Sequence, residues 1–152
     1  MATNGGARRE KQARLSQLAV DLAARTIGSE ETRVSFFKYV PGPPESFEFQ
    51  VHAGRTEEPR GNFTESSERG REVLRLARDR ETRFVPDTEK EHVAGWDPTN
   101  AGYSTFICTP VVADDKIVGL LTVDDPVVGA LTTDDKLEAE VFAHLLASGL
   151  GR

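Results

Sequence analysis

Apolar and polar residues alternate along this chain with two periods, one suited to strands and one to helices. The most informative stretch is Tyr103 to Asp125, YSTFICTPVVADDKIVGLLTVDD. Ile107, Thr109, Val111 and Val112 crowd its first half, and Ile117, Val118, Thr122 and Val123 its second. β-Branched side chains pack well on a pleated surface and are disfavoured on a helix. Asp114-Asp115 is a polar pair between the two apolar runs, and Asp tolerates turn conformations by bonding nearby backbone N–H groups. The pattern predicts a hairpin of two long strands. Val118, Leu120, Leu121 and Val123 put apolar residues on both faces, so a central pair covered on both sides is expected. Pro110 lacks an N–H and implies a bulge or a gap in the ladder.

The rest of the chain is read around that hairpin. Residues 1–6 are small and polar, and a disordered start is expected. A helix is predicted from about Ala7 to Ile27, with Gly28 placed to stop it. Arg33–Val40 reads as a strand, broken by Pro41, Gly42, Pro43 and Pro44. Phe47, Phe49 and Val51 alternate with Glu48, Gln50 and His52, the pattern of a half-buried strand, so these two strands form a second hairpin. Residues 54–64 read as a loop. Glu65–Arg80 is an amphipathic helix with Val73, Leu74, Leu76 and Ala77 facing in and Arg69, Arg71, Arg75 and Arg78 facing out. Thr82–Val85 is a short strand stopped by Pro86, and residues 86–102 are an acidic, Pro-containing loop that holds Trp96. After the central hairpin, Thr132 is an N-cap, with Asp134 and Asp135 in the first turn of a helix that runs to about Leu150. Consecutive hairpins with helices before, between and after them predict an α+β fold. Its central sheet is mostly antiparallel, with the terminal helices on one face and loops and the short helix on the other. Residues 7–152 form one domain.

The terminal helices carry more apolar surface than one packing face needs. On a helical wheel, Leu15, Leu18, Ala19 and Leu22 form a stripe suited to covering the sheet, and Ala13, Val20, Ala24 and Ile27 form a second. In the last helix, Leu137, Val141 and Leu145 form one stripe, and Ala139, Ala143, Ala147 and Leu150 spread across another. A surface helix in a monomer needs one such stripe. A homodimer through a four-helix bundle is therefore expected, the alternative being that the two helices pack together and consume the second stripes themselves.

Charge and composition remove several function classes. The net charge is -6, which argues against nucleic acid as a partner. No apolar run approaches the ~20 residues of a membrane helix, and no apolar run follows the charges near the N-terminus, so neither a membrane partner nor a secretory signal is expected. A single cysteine excludes an internal disulfide and a Cys-based zinc site. A cytoplasmic location follows.

The order of elements, together with S-x-F-x-C-x-P-V-V, then K-I-V-G-L-L-T-V-D, and a later L-T-x-x-D opening the last helix, resembles a GAF domain. Arg71-Glu72-Val73-Leu74 leading to Arg83-Phe84-Val85-Pro86-Asp87 is similar to the middle of that family. Pro110, Gly119 and Asp135 stand where the family usually has Pro, Gly and Asp. The resemblance spans about Leu15 to Leu150. It implies a sensory or regulatory module that binds a small molecule or serves as a dimerisation unit. Cyclic-nucleotide-binding members often carry an Asn-Lys-Phe-Asp-Glu signature. Here those positions read Asp124, Asp125, Leu131, Asp135 and Lys136, with Asp135 alone matching.

Each chemically suggestive residue has a structural explanation to set beside it. Cys108 sits mid-strand among apolar residues and reads as a buried small hydrophobe rather than a chromophore attachment point, redox switch or nucleophile. Bilin-attaching relatives carry their Cys elsewhere, and sulfoxide-reductase relatives use several cysteines. Asp114-Asp115, Asp124-Asp125 and Asp134-Asp135 are explained as turn, strand end and helix first turn. His52, His92 and His144 are scattered, so no metal site is expected. Trp96 and Tyr103 bracket a loop that, in the resembled fold, often roofs a pocket over the sheet. They are the leading candidate ligand-binding residues, with Phe84 and Asp87 added from the segment before the loop. The expected function is a non-catalytic sensory or regulatory module that binds a small molecule and dimerises. The alternatives are a ligand-free interaction module whose pocket is filled by its own side chains and, behind it, a small redox enzyme on the same fold. No cofactor is indicated. An output-protein partner or membership in a longer chain would supply the response.

Overall fold

Among the described residues, three helices and six strands occur in the expected order, with one strand more than the pattern predicts. The computed structural model describes residues 3–59, 61–97 and 102–151. The elements are α1 (Thr3–Thr26), β1 (Arg33–Val40), β2 (Ser46–Gly54), β3 (Phe63–Thr64), α2 (Glu68–Asp79), β4 (Arg83–Val85), β5 (Thr105–Ala113), β6 (Lys116–Asp125) and α3 (Thr133–Leu150). The six strands form one sheet in the order β3-β2-β1-β6-β5-β4, with antiparallel pairing throughout.

The long hairpin forms as its sequence dictates. Ala113 pairs with Lys116, and the two residues between them, Asp114 and Asp115, both have positive φ (49° and 64°). Two successive left-handed residues match the twist of the flanking strands, and Asp is among the few non-glycine residues that adopt them readily. The expected irregularity appears as a register shift between Val111 and Val112, one residue beyond Pro110. The partner strand β4 ends at its Arg83–Cys108 pair and does not reach Pro110. β6 then pairs with β1 from Lys38–Gly119 to Arg33–Asp124, which puts β1 and β6 at the sheet centre. A Cβ on Gly119 would stand 2.4 Å from the Phe37 carbonyl oxygen, so only glycine lets the two central strands meet there.

Each face of the sheet has its own apolar core. Val34, Phe36, Ile107, Leu121 and Val123 pack beneath α1 and α3, against Val20, Ile27, Ala139, Ala143 and Leu146. Phe37, Phe47, Phe106, Cys108 and Leu120 pack on the other side, against Val73, Leu74, Leu76 and Ala77 of α2. α3 opens with a reciprocal cap: the Thr132 hydroxyl accepts from the Asp135 N–H and the Asp135 carboxylate accepts from the Thr132 N–H. The other Asp135 oxygen accepts from the Gly28 N–H, which ties the end of α1 to the start of α3.

Three expectations need correction. The disordered start assigned to residues 1–6 is helical from Thr3 onward, while residues 1–2 lie outside the described part. Gly5 and Gly6 weaken a helix by about 1 kcal/mol each relative to Ala but do not stop one. The loop assigned to residues 54–64 contains β3, a two-residue strand, Phe63–Thr64, too short to leave a periodic signal. On α1, Ser16, Val20, Ala23 and Ile27 are buried, whereas Leu18 and Leu22, expected to cover the sheet, are 67% and 52% exposed. Both stripes have helical spacing. Ser16 and Ala23 are small, and placing them inward lets α1 lie close on the strands.

Candidate functional site

The face of the sheet away from the terminal helices carries a cavity of about 270 Å³. Strand alternation sets its floor: Arg33 and Phe37 of β1, Phe106 and Cys108 of β5, and Thr122 and Asp124 of β6. Phe63 of β3 and Arg69 of α2 form a wall, and Pro59, Gly95, Trp96, Asp97 and Tyr103 close over them. Gly95 has φ +79°, and a Cβ there would stand 2.3 Å from the Arg69 backbone nitrogen. Glycine is thus what allows the roof loop to rest on the first turn of α2.

The roof is held by aromatic and hydrogen-bond contacts. Trp96 stacks on Phe106 with centroids 4.9 Å apart and an 8° interplanar angle, and Tyr103 meets the same ring edge-on at 5.7 Å. The Trp96 indole N–H donates to the Tyr103 hydroxyl at 2.7 Å. The Arg69 guanidinium lies 4.7 Å from the Trp96 centroid and 4.9 Å from that of Phe63, and its Nη2 donates to the same hydroxyl at 3.2 Å. Arg69, expected on the outer face of α2, is therefore part of the cavity wall. Its position in the first turn places it under the roof loop, a placement that helical spacing cannot reveal.

At the other end of the cavity is a buried ion-pair cluster. Asp124 Oδ2 accepts from Nε and Nη2 of Arg33, both at 3.0 Å, and Oδ1 accepts from Arg55 at 2.6 Å. Arg33 also donates to the Glu57 carbonyl at 3.0 Å, which anchors the chain beyond β2. Next to it, Asp125 is fully buried and accepts from the hydroxyls of Ser29 and Thr32, both at 2.7 Å, and from the Val127 N–H at 2.9 Å. The Asp124-Asp125 strand end is thus structural, each carboxylate with its own partners. Cys108 is 1% exposed, and burial pushes its thiol up to about 12.

Of the four candidate residues, the structure brings two together. Trp96 and Tyr103 line the cavity and touch each other; residues 98–101 between them lie outside the described part. Phe84 is on the opposite face. It pairs in register with Ile107, and both belong to the core beneath the terminal helices. The period of two sends Val85 to the cavity side instead. Asp87 is not in the cavity lining; its side chain accepts from the Glu89 N–H and its carbonyl from those of Lys90 and Glu91, a local turn. The residues missed were Arg33, Phe37, Phe63, Arg69, Phe106 and Asp124. The signal available for Arg33 and Asp124 was a charge at the margin of an apolar strand. Among the described residues, no three His, Cys, Asp or Glu side chains converge as a metal site requires, and no helix is long and apolar enough to cross a membrane.

A comparison with curated proteins finds no match. Solved structures similar to this one include a type II free methionine-R-sulfoxide reductase from Thermoplasma acidophilum, at 16% identity and TM-score 0.71, covering 94% of each chain. A methyl-accepting chemotaxis protein segment is similar at 18% identity and TM-score 0.72, over 93% of this chain and 89% of that one. The cyanobacteriochrome receptor PixJ is similar at 13% identity and TM-score 0.71, over 95% and 98%. At these identities the likeness is one of fold, shared by sensors and reductases alike. The family model described as GAF domain matches residues 13–150. A match that runs from within α1 to the end of α3 takes in every strand and the whole cavity, and the chain belongs to the GAF domain family.

Proposed function

We propose that this chain is a non-catalytic sensory or regulatory module that binds a small molecule in the cavity beneath Trp96 and Tyr103. The observation that carries the reading is the cavity itself: about 270 Å³, walled by aromatic rings, with polar groups at both ends. Ligand sites are typically concave and largely apolar, with a few placed polar groups, and the volume is just below the usual range of about 300–1,000 Å³. A small ligand is implied. Cys108 supports the non-catalytic part. A thiol raised by burial is protonated at neutral pH, and the thiolate is the nucleophile. Output passes to a partner protein or to another part of a longer chain.

The same reading includes pairing with a second copy through the outer face of the terminal helices. Leu18 and Leu22 of α1 and Leu137, Val141 and Leu145 of α3 are each more than half exposed. The two helices run antiparallel, with Gln12 bonded to the Leu150 carbonyl at one end and Gly28 to Asp135 at the other. α1 carries five basic residues against two acidic, and α3 four acidic against one basic. A two-fold pairing that sets α1 of one copy on α3 of the other buries both stripes and matches the charges.

Ligand binding is tested by titrating nucleotides, heterocycles and amino acids while following Trp96 fluorescence and the melting temperature. A saturable fluorescence change with a rise in Tm is expected. No response across the set, together with a ligand-free crystal structure in which side chains fill the cavity, would favour an interaction module without a ligand.

A further inference from the structure

Among the described residues, the wall of the cavity carries an unpaired hydrogen-bond donor. Arg69 Nε is buried with no hydrogen-bond partner, and among the described residues its guanidinium has no carboxylate within ion-pair distance. The Tyr103 oxygen already accepts from Trp96 Nε1 and from Arg69 Nη2, which occupies both its lone pairs. Its own proton points to no acceptor among the described residues. Burial, the largest cause, raises the Tyr103 pKa above its ordinary value, so the hydroxyl remains a donor at neutral pH.

The lining carboxylates do not balance these donors. Both oxygens of Asp124 are taken by Arg33 and Arg55. Asp97 is exposed, so solvent screens its charge. What Arg69 has instead is two aromatic faces, Phe63 and Trp96, which stabilise a cation but accept no conventional hydrogen bond. Arg69 is half-buried with its Nε sealed from solvent, and a neutral ligand carbonyl would fill that donor and leave the charge without an ionic partner.

We propose that the ligand of this cavity is a small organic anion whose carboxylate or phosphate accepts from Arg69 Nε and the Tyr103 hydroxyl, and whose apolar body, no larger than one ring, occupies the rest of the cavity. The inference rests on the small-molecule reading above and adds the charge and shape of the ligand. The cavity volume of about 270 Å³ limits the body to about one ring. Trp96 and Phe106 are already stacked on each other, so the ligand ring packs beside that pair rather than between its members.

Three probes of one shape separate the outcomes: phenylacetate, phenyl phosphate and the neutral phenylacetamide, each titrated by calorimetry with Trp96 fluorescence as a second readout. At least one acid is expected to bind about tenfold or more tightly than the amide, the value of a charge-assisted hydrogen bond. Which acid binds better identifies the anionic group. Arg69→Met and Tyr103→Phe should each shrink the ratio of acid to amide affinity, a ratio in which any general loss of binding cancels. Tyr103→Phe keeps the ring, so it remains informative if Arg69→Met fails to fold. Arg69→Lys, which keeps the charge but loses Nε, should restore only part of the preference. Equal binding of acid and amide, or a preference that survives both Arg69→Met and Tyr103→Phe, would overturn the anion assignment and leave the pocket reading intact. Absence of any binding by all three probes, with Trp96 fluorescence unchanged, would sink the ring-bearing anion, and the small-molecule reading then stands or falls with the wider ligand set.

Discussion

Asp124 shows how a charge survives inside a sheet. The carboxylate is 5% exposed and would be destabilising there alone, but two arginines approach it from different elements. Removing one partner of a buried pair strands the other. Asp124→Ala leaves Arg33, 5% exposed, with the Glu57 carbonyl as its remaining partner among the described residues, so a loss of about 3 kcal/mol or more is expected in urea denaturation. A loss below about 1 kcal/mol would mean that Arg33 finds other compensation. Cys108 is the opposite case, a reactive group made inert by its place. Its thiol, pushed up to about 12 by burial, should resist a thiol-modifying reagent at about pH 8 in the native protein and react fully on unfolding. Rapid native-state modification would contradict that. Cys108→Ala removes a small buried group, and about 1 kcal/mol of stability is expected to go with it.

At the level of elements, the β5–β6 turn and the α2–β4 contact respond to different variables. Asp115 is held at φ 64°, a region that non-glycine residues enter at some cost. Asp115→Gly is expected to stabilise the hairpin by about 0.5–1 kcal/mol, read as a higher urea midpoint with unchanged slope. Destabilisation would show that the Asp side chain contributes more than the backbone costs. Glu72 of α2 joins Arg75 at 2.8 Å and Arg83 of β4 at 3.1 Å. The Arg75 hydrogen bond is the largest cause holding its carboxyl below the ordinary 4.5, and Arg83 adds to it against the opposing effect of burial. A carboxyl lowered by folding stabilises the native state above the unfolded pKa, and that stability is lost as pH falls through the folded value. The melting temperature should therefore drop on acidification below about 4.5, and Glu72→Gln should flatten that limb. An unchanged acid limb in the variant would assign it to other carboxyls.

The sheet has two unlike faces, and each carries one part of the proposed function. One is roofed over a cavity; the other is covered by two helices whose outer surface remains apolar. Light scattering at micromolar concentration is expected to give a dimer mass. Leu22→Glu and Val141→Glu lie on exposed positions and should dissociate it without lowering the stability of the monomer. Val20 and Ala143 are unsuitable for this test, because both are buried against the sheet and a charge there would unfold the chain. A monomer mass for the native protein would remove the second copy as the occupant of this face. The proposed ligand binding and the proposed pairing should be separable, since the cavity and the apolar stripe lie on opposite sides of the sheet.

What the sequence determined by itself was local. The Asp114-Asp115 turn, the Thr132 cap, the inward face of α2 and the buried place of Cys108 all follow from backbone preference and periodicity within a few residues. Element order followed too, and with it the family. What tertiary structure decided was the choice between locally equivalent options. Two stripes of α1 have the same spacing, and only contact with the sheet selects Ser16, Val20, Ala23 and Ile27. Phe84 reads as a ligand wall and Phe106 does not stand out, yet strand register sends Phe84 beneath the helices and Phe106 to the cavity. Arg69 reads as one more solvated arginine of α2 until the roof loop crosses that helix at Gly95 and sets Trp96 over its guanidinium. Periodicity reports which residues share a face; which face meets which partner depends on contacts between residues distant in sequence, and those form only when the chain folds.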